Sequence, residues 1–394
     1  MAADRFAAGT AAWETDTLTF RFIHTSDWQI GKPFRNFEDR VAGRLEGARL
    51  SVIERIGKIA EAHGARHVLV AGDIYDAQTV PLKTLMQPVH RMQKAGGVTW
   101  WLLPGNHDPA KAGGIWERLR SQGLPDNVRV LDAPGVVEME PGVFVLPAPL
   151  TARSVASDPT AFMDEAATPP GAARIGLAHG SIKGFGSGEE SAVSIDPDRA
   201  RKAGLDYLAL GDWHGSAKIN QRTWYAGTPE PDRFPDNAPG FVLCVHIEGG
   251  AAEPKVEAIA SAAFIWAKRE FDVSAAGDLA GVERDLEVLA GDPANLVLRL
   301  RIGGRVRLEE IAEVERWCEG LEAKLQHLET DLTGLLPRAE EADFDLFSVS
   351  EELGEAARFL SGIADDESDQ RRAVAAAALA RLAGLSRQVT AGDA

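Results

Sequence analysis

The chain has 394 residues, is 45% hydrophobic and carries a formal net charge of −17. That length exceeds what one core usually serves, so two or three structural units are expected. No run approaches the roughly 20 consecutive apolar residues of a membrane span. The N-terminal stretch lacks the basic start and apolar core of a signal peptide, so a cytoplasmic protein with no membrane partner is expected. Cys244 and Cys318 are the only cysteines. They lie far apart without metal-type spacing, which fits a reducing compartment and excludes a disulfide framework. The acidity is uneven: residues 307–394 hold 9 basic and 20 acidic side chains, whereas residues 21–120 hold 15 and 10, a net +5. Nucleic acid therefore stays admissible as a substrate despite the total.

Residues 1–17 are small and polar without periodicity and read as a flexible arm. Leu18 to Thr25 reads as the first strand. Leu45, Ala48, Val52, Ile56 and Ile59 recur at helical spacing within a helix from Leu45 to His63, with Gly64 as its C-cap. Four apolar residues from Val68 to Ala71 then read as a central buried strand ending at Gly72 and presenting Asp73. A helix over 82–95 and a strand over 98–103 complete a βαβαβ alternation, which implies parallel pairing. After a short helix at 116–121, short strands at 128–131, 136–140 and 143–146 suggest a second sheet. Strands at 175–178 and 207–210 continue it, joined by a glycine-rich loop over 183–196 and a short helix over 197–203. A hairpin of 241–247 with 255–259 closes a first domain spanning 18–263. A small α+β unit follows over 264–336, with strands at 269–273, 296–302 and 327–332 and helices at 279–289 and 308–325. An acidic linker containing Pro337 and two amphipathic helices, 351–364 and 371–385, make up residues 337–394.

Polar clusters follow five of the apolar runs: Asp27 and Gln29, Asp73, Asn106 and His107, His179, and Asp212 and His214. In open α/β sheets chemistry gathers beyond the carboxyl ends of the strands, so five strand ends are expected to converge on one site. Side chains alternate along extended backbone, which would place Asp27 and Gln29 on one side and Trp28 on the other. Oxygen donors with imidazoles suit two divalent cations sharing Asp73, with Mn²⁺ favoured and Fe²⁺ or Mg²⁺ as alternatives.

Asp27-x-Gln29, Gly72-Asp-x-x-Asp76, Gly105-Asn-His-Asp108, Ala178-His-Gly180 and Gly211-Asp-x-His214 resemble the ordered motifs of the calcineurin-like metallophosphoesterases. Thr25-Ser-Asp-Trp28 and Tyr225-Ala-Gly-Thr-Pro-Glu-Pro231 bring the chain nearest to the SbcD and YhaO type DNA repair nucleases. The resemblance implies an α/β fold: a two-sheet sandwich flanked by helices, then a DNA-capping α+β domain and C-terminal docking helices. Carried over by position, it implies one metal on Asp27, Gln29, Asp73 and His214 and a second on Asp73, Asn106, His179 and Asp212. His107 would face the phosphate as a catalytic acid, and Asp108 would orient it from behind. Asp76 is read as a cap on the turn into the next helix.

Two positions depart from the family pattern, which has histidine where Gln29 and Asp212 stand. Gln29, a neutral and weaker donor, is expected to loosen the first metal. Lys32, Arg35, Arg40, Arg44, Lys111, Arg118 and Arg120 are candidate phosphate contacts against a background of ordinary solvated charge. The resemblance implies a metal-dependent phosphodiesterase acting on DNA, partnered through its tail by an SbcC-like coiled-coil ATPase, with homodimerisation common among such nucleases. A small-molecule phosphoesterase and a catalytically silent DNA-end-binding scaffold are the competing readings. For the tail, packing back onto the chain's own α+β unit competes with docking.

Overall fold

The computed structural model describes residues 19–185, 193–234, 237–249, 252–338, 344–345, 347–348, 350–366 and 368–392. The arm expected over 1–17 and the middle of the loop expected over 183–196 lie outside them. Two compact units emerge. The first takes in residues up to Pro33, Arg49–Glu230 and Asn237–Ser261, and the second Phe34–Ala48, Pro231–Asp236 and Ala262 onward. Segments 34–48 and 231–236, which the sequence placed with the earlier domain, thus group with the later one.

The first unit opens with β1 (Thr19–Thr25), the part of α1 (Asp39–Ala62) from Arg49 on, β2 (His67–Val70), α2 (Leu82–Lys94), β3 (Thr99–Leu102), α3 (Ile115–Ser121) and β4 (Val128–Val130). It continues with β5 (Val137–Glu140), β6 (Val143–Ala148), β7 (Ala173–His179), β8 (Ser181–Ile182), β9 (Ser194–Ile195) and α4 (Arg199–Lys202). β10 (Tyr207–Gly211), β11 (Ala217–Lys218), β12 (Thr223–Tyr225), β13 (Phe241–Glu248) and β14 (Lys255–Ala260) complete it. Two six-stranded sheets result, ordered β14-β13-β1-β2-β3-β4 and β11-β12-β10-β7-β6-β5. β1, β2, β3 and β4 run parallel, as the helical crossovers require, and the β13–β14 hairpin adds an antiparallel edge.

Period-two alternation divides each strand of the first sheet between two cores. Phe20, Phe22, Leu69, Trp101 and Leu103 meet Val143, Val145, Ile175, Leu177 and Tyr207 of the second sheet. Ile23, Val68, Val70, Trp100 and Leu102 point the other way, against Val52, Ile53, Ile56, Leu85, Met92 and Trp116 of the helices. Both faces of β2 and β3 are buried, which is why those segments read as continuous apolar runs. His24 crosses the interior: its Nε2–H donates to the Leu210 carbonyl at 3.1 Å and its Nδ1 accepts from the Tyr207 hydroxyl at 3.0 Å. Burial pushes that imidazole down to about 3, so it is a neutral structural strut between sheets.

In the second unit a parallel sheet forms from β15 (Ile265–Val273), β16 (Leu296–Arg307) and β17 (His327–Asp331), with β18 (Leu335–Arg338) pairing the far end of β16. Helices α5 (Leu279–Ala290) and α6 (Ile311–Glu322) cover it through Val282, Leu286, Val314, Cys318 and Leu321. β18 corrects the expected linker. Pro337 sits in this short strand, which among the described residues pairs with β16, a position that tolerates its missing N–H. Phe34, Val41, Leu45, Phe264, Trp266 and Val297 form a separate aromatic-rich cluster of the same unit.

The tail forms α7 (Glu351–Asp365), capped by the Ser350 hydroxyl on Leu353 N–H at 3.2 Å, and α8 (Arg372–Gly392). Leu379, Ala383 and Ala357 are buried with Leu308 and Phe347, and Leu353, Leu360 and Leu382 pack around them. Most of the apolar stripe is therefore covered by the second unit itself, leaving Phe359, Val374 and Leu385 exposed. Among the described residues no helix is long and apolar enough to cross a membrane. Leu379→Ala should destabilise the second unit by about 2–5 kcal/mol through the cavity it leaves, whereas Val374→Ala should stay within about 0.5 kcal/mol. Equilibrium urea unfolding of the two variants measures the difference, and equal costs would mean α8 does not pack as described.

Candidate metal centre

Among the described residues, four non-glycine residues have left-handed backbone: Asp27 (φ 53°), Gln29 (φ 47°), Asp73 (φ 54°) and Asp212 (φ 98°). All four were predicted ligands. Such conformations cost about 1–3 kcal/mol each and persist only where the surroundings enforce them. At Asp27, Gln29 and Asp73 the β1–β2 pairing continues past both strand ends and supplies the enforcement. Ala71 N–H donates to Thr25 O at 2.8 Å, Asp27 N–H to Gly72 O at 3.1 Å, Gln29 N–H to Asp73 O at 2.9 Å and Ile30 N–H to Ile74 O at 2.8 Å. The extended alternation expected for Asp27-Trp28-Gln29 is thus replaced by two left-handed turns. Trp28 goes into the helix-side core, edge-on to Trp100, with its N–H on the Thr25 hydroxyl at 3.1 Å.

Glycines make room for the close approach. A Cβ on Gly72, itself at φ +88°, would lie 2.2 Å from His179 Nδ1, and one on Gly105 would lie 2.2 Å from Asp73 Oδ1. The glycines of these two motifs therefore answer a space requirement of the residue opposite each.

Asp27, Asp73 and His179 each bring a ligand atom within 4.8 Å of the others, and all three are buried. His179 Nε2 lies 3.5 Å from Asp73 Oδ1 and 3.9 Å from Asp212 Oδ1, and His214 Nε2 lies 4.0 Å from Asp27 Oδ1. His179 Nδ1 is 2.8 Å from the Ala71 carbonyl, which can only accept, so Nδ1 carries a proton and Nε2 is the nitrogen turned toward the carboxylates. Two buried atoms here have no hydrogen-bond partner, His179 Nε2 and Asn106 Oδ1. Both are atoms of a kind that can ligate a metal. An imidazole nitrogen and an amide oxygen, both without hydrogen-bond partners beside buried carboxylates, fit a divalent cation.

The electrostatics agree. Burial pushes Asp27 up to about 7, with Asp73 and Asp212 adding to the shift and His179 and Ser26 opposing it. Burial alone would lower His179, but Asp73, Asp27 and Asp212 hold it well above its ordinary value. Asp73 is likewise pushed up by burial, yet ends below the usual carboxylate range because His179 and His107 outweigh it. A group of carboxylates this demanding of positive charge is what a cation would satisfy.

His107 N–H donates to Asp73 Oδ1 at 2.9 Å, and its Nδ1 donates to the Asp76 carbonyl at 2.9 Å. Its Nε2 lies 3.9 Å from Asp73 Oδ2, so that nitrogen is the one directed at the centre. Asp108 does not orient this ring as expected. Its two oxygens accept from Gly105 N–H at 2.7 Å and Tyr75 N–H at 3.0 Å, because the fully buried carboxylate must satisfy its lone pairs on the nearest backbone donors. Asp108 is a positioning residue that fixes the loop carrying Asn106 and His107. Asp76 is corrected as well: α2 begins after Pro81 with no side-chain cap, and Asp76 instead holds His107.

Sequence reasoning missed two serines. Ser26 donates to Asp27 Oδ2 and Ser181 to Asp212 Oδ2, each at 2.6 Å, so that one oxygen of each carboxylate is occupied. Their only sequence signal is proximity to a predicted ligand. Of the predicted phosphate contacts, Arg118 bonds the Val80 carbonyl at 3.1 Å, Arg120 pairs with Asp132, and Arg44 lies over Phe264 at 5.6 Å. Lys32 donates to Gln29 Oε1 at 2.7 Å.

A fold of two sheets with a buried carboxylate–imidazole centre at the strand ends defines a metal-dependent hydrolase of phosphoesters. The calcineurin-like phosphoesterase family model matches residues 20–216, half of the 394 residues, and the chain belongs to that family. No curated protein matches it. Among solved structures, TT1561 of Thermus thermophilus is similar at 13% identity, over 60% of this chain and 100% of its own, with a TM-score of 0.37. Another crystal structure is similar at 12% identity, over 61% of this chain and 99% of its own, with a TM-score of 0.39.

Asp73→Ala should abolish retention of Mn²⁺, because Asp73 stands in both expected ligand sets. His107→Ala should retain the cation and lose about 10²–10⁴-fold in turnover, the range for a positioned acid. Metal content after gel filtration, measured beside phosphodiesterase activity, checks both; Mn²⁺ still held by Asp73→Ala would remove Asp73 from the centre.

Proposed function

We propose that this phosphoesterase hydrolyses phosphodiester bonds of DNA and uses Mn²⁺. The observation that carries the hydrolytic part is the buried group of Asp27, Asp73 and His179 with its orphaned ligand atoms. Three features support DNA over a small ester: the resemblance to SbcD-type nucleases, the net +5 of residues 21–120, and a second compact unit assembled from three chain segments. A hydrolase of small esters has no need of that additional unit.

A divalent cation at this centre supplies Lewis acidity for the phosphoryl oxygen and lowers the pKa of water. The chain's own residues do the rest. Asp27, Asp73, Asn106, His179 and Asp212 are the groups that would hold it, with the ladder beyond β1 and β2 keeping Asp27 and Asp73 in place. His107, pinned at Nδ1, turns Nε2 toward the centre, the nitrogen through which a proton can pass to a leaving oxygen. The same reading assigns the exposed Phe359, Val374 and Leu385 of the tail to a coiled-coil ATPase partner.

Incubation with Mn²⁺ and end-labelled duplex, single-stranded and hairpin DNA, beside a chromogenic phosphodiester, tests the reading. Cleavage of DNA that a chelator abolishes is the expected result. Cleavage of the small ester alone would replace DNA with a small-molecule substrate, and cleavage of neither by Mn²⁺-loaded protein would leave a binding scaffold.

A further inference from the structure

Gln29 stands where the resemblance expects a fourth ligand to the first cation, and its only ligand atom is the amide oxygen. The amide nitrogen's lone pair is delocalised into the carbonyl, so its NH2 group donates and does not ligate. That oxygen is taken: Lys32 Nζ lies 2.7 Å from Oε1. An ammonium has donors only, so the oxygen must face it and the NH2 must face the other way. On that side, Gln29 Nε2 lies 3.1 Å from His214 Nε2 and donates to the lone pair that would otherwise bind the first cation.

The placement of Lys32 is built into the backbone. Lys32 N–H closes a turn onto the Gln29 carbonyl at 3.1 Å, through Gly31 at φ +96°. The buried Arg49 donates to the Lys32 carbonyl at 2.7 Å and to the Gln29 carbonyl at 3.4 Å, pinning both ends of the turn. Two of the four donors expected for the first cation are therefore bonded to each other. The remaining two, Asp27 and Asp73, belong equally to the His179 group. At that second position the opposite holds, since His179 Nε2 and Asn106 Oδ1 lack partners and Asp212 Oδ1 lies 3.9 Å from the imidazole nitrogen.

We infer that Lys32 locks the Gln29 amide with its NH2 toward His214, so that the centre takes one divalent cation tightly, among Asp27, Asp73, Asn106, His179 and Asp212, rather than a pair. The inference rests on the metal-dependent reading of the centre and specifies its stoichiometry.

Mn²⁺ titration of the metal-free full chain by calorimetry, with electron paramagnetic resonance of the loaded protein, tests it without any turnover assay. Wild type should bind one tight equivalent and give the spectrum of an isolated ion. Gln29→His should bind two and give an exchange-coupled spectrum. Lys32→Met, a milder change that keeps the apolar stem, should free the carbonyl to turn inward and tighten the second equivalent by about 10- to 100-fold, the usual reach of a ligand's own hydrogen-bond partner. Two tight, coupled equivalents in wild type would overturn the inference and leave the metal-dependent reading standing; no binding in wild type would overturn both. A single equivalent in Gln29→His and in Lys32→Met alike would show that Lys32 is not the lock.

Discussion

Burying Asp27 and Asp73 around one imidazole, with the half-buried Asp212 beside them, is the demand that the first unit is arranged to meet. Like charges in a site of low dielectric repel one another and lose hydration, so nothing local favours the arrangement. It is held from outside. The parallel β1–β2 ladder runs on for several bonds beyond the last strand residue and fixes the left-handed turns. Gly72 and Gly105 admit the opposing ligand, and Ser26 and Ser181 each occupy one carboxylate oxygen. The two cores on either side of β2 and β3 make these sheet edges stiff enough to carry such strain.

The architecture was legible because its signals are periodic and redundant. A buried parallel strand such as Val68–Ala71 announces itself by continuous apolarity, and a helix such as α1 by its i, i+3, i+4 spacing. The start of α1 at Asp39 rather than Leu45 was not legible, since its first turns are polar and group with a different unit. β18 was hidden by Pro337, which reads as a break although a short strand pairing along one side accepts it.

The centre was legible in composition and less so in geometry. Which residues gather could be read from five motifs at strand ends, because parallel strands deliver their carboxyl ends to one edge. How they gather could not. Extended alternation predicts a common side for Asp27 and Gln29, but the chain uses left-handed turns that no local propensity announces at aspartate or glutamine. Hydrogen-bond allegiance was equally hidden. Asp108 neighbours His107 in sequence yet satisfies Gly105 and Tyr75, and the ring is held by Asp76 from another strand's loop. Adjacency in sequence says little about partners once a group is fully buried, because the nearest unsatisfied donor wins.

The two departures from the family pattern act in one direction. An aspartate at 212 instead of histidine adds a negative charge 3.9 Å from His179, on the side where two ligand atoms lack partners. A glutamine at 29 instead of histidine removes a donor from the other side, and Lys32 adds a positive charge there, 2.7 Å from the amide oxygen. Attraction for a cation rises at one position and falls at the other, with Asp27 and Asp73 common to both. A shared carboxylate bridges two cations only when each has enough private ligands to outweigh their mutual repulsion, which at the spacing of two-metal sites, about 3.5–4 Å, is large. With Asn106, His179 and Asp212 private to one side and only His214, already accepting from Gln29, on the other, that balance favours a single ion.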